Sequence, residues 1–192
     1  MNDIVKPGAG LLFMKIGTHA NETLAEIIAR KTGEIRNTGY GMWGYGGNTC
    51  HPTSMVQPFA RSFVERGRTI HLCMEEMTSN HFGEGVADEF SADGLDWQKI
   101  PDTIEVRGSK YALLIEDLHA ENFQLPLDQT RVPVGPSTGR LGSRYIQGRV
   151  DKACLEVMDA PELTNEGKPR TIDVDLVAKL RAPYAVFLRG QR

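Results

Sequence analysis

The sequence predicts an α+β fold: a single compact domain in which a mostly antiparallel or mixed sheet, drawn as far as a partly open barrel, carries two helices from the first third of the chain. Three observations predict it. The run Leu11–Ile16 is apolar except for Lys15, as in a buried strand. Two stretches with helical spacing follow, and later segments rich in β-branched and aromatic residues are bounded by turn formers. With 192 residues, 40% of them apolar and 24% charged, the chain is long enough to bury one core and lies far from disordered compositions.

In order along the chain, residues 1–10 carry Pro7, Gly8 and Gly10 and are expected to be loose before the first strand, which Gly17 ends. Asn21 is placed to cap a helix whose apolar stripe is Leu24, Ile27, Ile28 and Ile35, with the stem of Lys31 along its edge and Gly39 as its stop. A second helix starts with Pro58 in its first turn and runs to Arg66, stopped by Gly67, with Phe59, Phe63 and Val64 toward the core. Thr69–Met74 alternates, which predicts a strand with Ile70, Leu72 and Met74 on its apolar face and His71 and Cys73 on a more polar one.

From Glu75 to Gln98 the pattern breaks into acids, glycines and isolated aromatics, predicting loops. Thr103–Val106, Tyr111–Ile115 and Tyr184–Leu188 read as strands, the first two joined by Arg107-Gly108-Ser109 as a hairpin. Val132–Gly142 is rich in proline and glycine and is loop, Tyr145–Met158 contains at least one strand, and Val174, Val177 and Leu180 predict a helix over Asp173–Leu180.

Three widely spaced cysteines fit neither a disulfide framework nor a metal knuckle, and no run is long and apolar enough for a signal peptide or a membrane span. A cytoplasmic protein without membrane attachment is expected. The charge is uneven: residues 1–130 sum to −7 and residues 131–192 to +4. Any contact to phosphate is therefore expected to be local and in the last third.

Two stretches carry unusual chemistry. Tyr40–Pro52 reads Tyr-Gly-Met-Trp-Gly-Tyr-Gly-Gly-Asn-Thr-Cys-His-Pro and is expected to be a long loop between the two helices. It lacks the spacing of known phosphate loops, so its rings rather than its glycines are the functional expectation. Tyr40, Trp43, Tyr45 and Asn48 are candidate ligand-binding residues, through stacking on a base or anchoring of a partner. The adjacent Cys50 and His51 form a weaker nucleophile candidate, since neighbouring side chains often diverge. The second stretch, Gly135–Lys152, offers Arg140, Arg144 and Arg149 on a glycine-rich loop for an anion, against the plainer role of a solvated surface.

His71 and Cys73 share a predicted strand face, but no paired motif supplies two further ligands, so neither a metal nor a cofactor is expected. Glu75 and Glu76, and Glu116 and Asp117, would act as acid or base only if buried together. The first functional expectation is a binding module for a small ligand, nucleotide or nucleic-acid segment. The alternatives are a protein-interaction module of the microbial or phage inhibitor or adaptor kind, and, ranked last, an enzyme using Cys50 and His51 or a nucleotide transferase. No motif is specific enough to name a family.

Overall fold

A nine-stranded mixed sheet is the frame of the protein. The computed structural model describes residues 3–46, 49–83, 85–148, 150–162 and 170–190. In chain order the elements are β1 (Gly10–His19), α1 (Leu24–Thr38), β2 (Gly41–Tyr45), α2 (Gln57–Glu65), β3 (Ile70–His81), β4 (Glu89–Ser91), β5 (Gln98–Lys99), β6 (Tyr111–Pro126), β7 (Thr130–Arg131), α3 (Gly142–Tyr145), β8 (Lys152–Val157) and β9 (Thr171–Arg189). The main path runs β2-β6-β9-β3-β1-β8-β7, with β4 on the far part of β9 and β5 on β4. Among the described residues, only β1 and β3 pair in parallel. They are joined by a crossover through α1, β2 and α2, as parallel neighbours require.

Both faces of the sheet are buried, and this explains its apolar sequences. On one face Leu12, Met14, Leu72, Met74, Leu113, Ile115 and Ala178 meet Ile27 of α1 and Phe59 and Phe63 of α2. On the other, Leu11, Phe13, Cys73, Val177 and Leu155 pack under Ile4, Leu127, Val132 and Ile146. Further along that second face, Met42, Leu114 and Val186 lie under Ala87, Ile100, Ile104 and Val106, so residues 86–106 form a cover. Tyr45 on β2 and Cys154 on β8 are close enough to influence each other electrostatically. A flat sheet with strands about 4.8 Å apart would hold their strands about 24 Å apart. The sheet therefore curls around the first core, without closing.

The α+β class and the two helices match the expectation, while several elements differ. Thr23, not Asn21, caps α1: its side chain accepts from Glu26 N, and Glu26 returns a bond to Thr23 N in a capping box. Gly39 ends the helix at φ +87°, as expected. Val64 is exposed rather than in the core. A π-helical turn, Pro52–Val56, leads into α2. Gly41–Tyr45 is a strand paired with β6, not part of a long loop. The strand β1 continues past Gly17 to His19, with an irregularity between Ile16 and Thr18, because a side chain at Gly17 would collide with Ser79 and the Met77 carbonyl.

β3 likewise continues through the predicted loop to His81, and Cys73 is fully buried instead of lying on a polar face. Thr103–Val106 forms no strand. Ile104 and Val106 alternate inward as part of the cover, and Arg107–Ser109 is not a hairpin turn. Asp173–Leu180 is the first half of β9 and not a helix. A strand apolar on both faces contains helical spacings by coincidence.

One polar network is buried among these contacts. Lys31 and Glu34 on α1 are each 2% exposed, with Lys31 Nζ 3.0 Å from both carboxylate oxygens of Glu34. Lys31 also donates to the Glu105 carbonyl, as does Arg30, which donates in addition to Glu34 and Glu22. Glu34 accepts from the backbone amides of Glu105 and Met42. Burial pushes the Lys31 ammonium down to about 8, against the pull of Glu34. One carboxylate thus ties α1 to β2 and to the cover. Replacing Glu34 with alanine strands a buried ammonium and two amides, and a loss of roughly 3–5 kcal/mol in urea unfolding is expected. Lys31→Met leaves Glu34 its amides and Arg30, and should cost less than half as much.

Candidate functional site

The two stretches singled out in the sequence meet in space. Gly135, at φ +81°, sits against the Met55 methyl of the π-helical turn, and Val134 packs onto the core beneath it. Tyr145 lies within electrostatic reach of Cys50, Cys154 and Arg140, and burial raises its phenol above the usual range.

The side chains within this junction point in different directions. Trp43 and Tyr45 are only 4% and 3% exposed, inside the core between the sheet and the helices. A ring must show a face to stack on a ligand or anchor a partner. These two are used by packing. Tyr40 is half-buried, with the Arg181 guanidinium 5.0 Å over its ring. Arg140 and Arg144 are exposed, one at the end of the loop after β7 and one on α3. Asn48 and Arg149 lie outside the described residues.

Cys50 and His51 diverge. Cys50 is buried and its thiol contacts that of Cys154. This contact, with burial second, holds the Cys154 thiol well above its ordinary range. The His51 ring instead meets Tyr111 at 5.9 Å and Phe187 at 6.1 Å, both edge-on, with Thr53 Oγ1 3.3 Å from Nδ1. Cys73, on the other face, is pushed up to about 12 by burial. Among the described residues, no group of three or more His, Cys, Asp or Glu side chains is placed to hold a metal ion.

A cleft lies elsewhere, where the sheet forks. β9 pairs with β3 only over Leu176–Lys179 against His71–Met74. Beyond that, β3 stays with β1 as far as His81, while Thr171–Val174 of β9 stays with Phe123–Pro126 of β6. The parting strands leave a cleft of about 750 Å³ at the carboxyl-terminal half of the parallel pair, bordered by the first turn of α1. Such crevices at the ends of parallel strands are places where α/β sheets accept ligands.

Four acidic residues border it: Glu75 and Glu76 from β3, Asp173 and Asp175 from β9. Thr18, Thr23, Thr78 and Ser79 add hydroxyls. Asp175 accepts from Glu76 N at 2.8 Å across the fork. Lys15 stands 3.9 Å from Glu75. Burial, together with Asp173 and Asp175, holds the Glu75 carboxyl above its usual range in spite of Lys15. Among the described residues, no helix is long and apolar enough to cross a membrane.

Glu75 and Glu76 were visible in the sequence as an acidic pair, but Asp173 and Asp175 were hidden inside the expected helix. The signal that locates them is the alternation Ile172, Asp173, Val174, Asp175, Leu176, which places both aspartates on one side of a strand.

The buried thiols give this geometry a direct check. Native protein should react with iodoacetamide at neutral pH at least about 100-fold more slowly at all three cysteines than protein unfolded in urea. Selective fast labelling of Cys50 would show that its thiol is open to solvent.

No protein-family model matches the chain, and neither a curated protein nor a solved structure is similar enough to match it.

Proposed function

We propose that the protein is a small-ligand-binding domain and that the ligand is an organic cation with more than one amine, of the polyamine or oligo-amino-sugar kind, held in the forked cleft. The observation that carries this reading is the lining: Glu75 within electrostatic reach of Asp173 and Asp175, with Glu76 and several hydroxyl-bearing residues, around about 750 Å³, a volume suited to a small molecule. Carboxylates accept from ammonium groups, and the hydroxyls accept or donate to whatever lies between them.

The electrostatics favour the same class of ligand. A carboxyl whose pKa is raised on folding costs stability once it ionises, so at neutral pH the ionised Glu75, within reach of Asp173 and Asp175, is destabilising. A bound polycation relieves that repulsion, whereas a phosphate adds to it. The nucleotide form of the expectation would need the exposed Arg140 and Arg144 instead, at a junction whose two large rings are buried.

Spermidine or an oligo-amino sugar, at about 100 times its Kd, should add roughly 2.7 kcal/mol to stability and raise Tm accordingly. Glu75→Gln combined with Asp173→Asn should remove most of that shift, and binding should weaken as pH falls into the carboxylate range. A panel in which nucleotides raise Tm and amines do not would overturn the assignment.

A further inference from the structure

A second group of ionisable side chains lies at the ends of β1 and β3, and the cleft does not use it. His19 and His81 are partners in the parallel register, and their rings stack with centroids 4.8 Å apart and planes 7° from parallel. His19 Nε2 is 2.7 Å from the Arg107 carbonyl, in the segment that follows the cover. Ala20 N donates to the His81 carbonyl at 2.7 Å, closing the same corner.

The two ends of the cover meet at this corner. Gly108 N donates to the Gly85 carbonyl at 2.8 Å. The backbones of Gly83 and Gly108 approach so closely that a Cβ on Gly83 would come within 2.8 Å of the Gly108 Cα. The junction therefore tolerates little displacement of Arg107 before its packing opens. Facing His19 are His81 from β3, Glu22 from the turn before α1, Arg30 from α1 and Arg107 from the cover side. Glu22 is committed to Arg30 at 2.6 Å and lies 3.9 Å from Arg107, so it is shared between two guanidiniums before it answers an imidazolium.

We propose that the His19–His81 stack is a pH-sensitive clasp: when His19 takes a proton against the stacked His81 ring and beside Arg30, the Gly83–Gly108 junction loosens from the ends of β1 and β3.

Burial is the first influence on His19 and lowers its pKa, with His81 and Arg30 acting in the same direction. The Arg107 carbonyl and Glu22 oppose it, and the net direction is down. A histidine depressed on folding is favoured neutral in the folded state. The clasp is thus complete above the unfolded pKa of about 6.5, and its contribution is lost as pH falls through the lower folded value.

The test is NMR of the imidazole protons and of the Gly108 amide, from about pH 7.5 to about pH 5. In the wild type, His19 should titrate below about 6.5, and the Gly108 amide should move with the same midpoint. His19→Gln keeps a side-chain N–H for the Arg107 carbonyl but does not titrate, and its Gly108 amide should stay still. His81→Gln removes the stacked ring that opposes a proton on His19, and should move the His19 and Gly108 midpoints upward together. A Gly108 amide that is static in the wild type, or that moves equally in His19→Gln, overturns the clasp. Should His19→Gln fail to fold, unchanged midpoints in His81→Gln overturn it alone.

Discussion

β9 is 19 residues long and has three neighbours along its length: β6 for most of it, β3 in the middle and β4 near its end. One side of β9 is held by β6 and the other first by β3 and then by β4, and its pairing with β6 is irregular. Against β6 the pairing jumps from Leu113↔Ala185 to Ile115↔Leu180, which places extra residues of β9 around Arg181–Tyr184, and β6 carries its own extra residues further on. The ribbon of β6 and β9 therefore bends away from β3 after Met74. Everything proposed about binding depends on that parting, because it leaves a cleft bordered by acidic residues of both strands.

The helices hold the other side of the arrangement in place. Face-to-face burial alone would let α1 slide along the sheet, since apolar contact has no direction. Glu34 removes that freedom by accepting from Lys31, from the Glu105 amide of the cover and from the Met42 amide of β2. With α1 fixed, its capped first turn borders the cleft, and the turn before it brings Glu22 and His19 to the corner where the cover docks. Acidic cleft, buried ion pair and histidine stack thus share one scaffold, although each rests on different residues.

How much of this was legible in the sequence varies with what each residue's signal encodes. Helix ends were readable because glycine at φ +87° and proline in a first turn have local causes, as at Gly39 and Pro58. Strand extents were not. Whether Glu75–His81 continues β3 depends on β1 lying beside it, and polar residues in the outer half of a strand look like a loop. The segment Tyr40–Pro52 looked like one motif, yet Gly44 accompanies Trp43 because Ser109 and Val106 crowd that point, not because the chain must stay open there. Its rings were rightly singled out as unusual, but their service is to the core. The acidic cleft was half visible, in Glu75 and Glu76, and its other half was obscured by a helical spacing that a doubly buried strand imitates.

The measurement that tests the central claim most directly is an amide-resolved titration of the ¹⁵N-labelled protein with spermidine. The account predicts saturable shifts confined to the fork, at Gly17, Thr18, Met77–Ser79 and Asp173–Asp175. Shifts absent there, or gathered instead around Arg140 and Arg144, would contradict it.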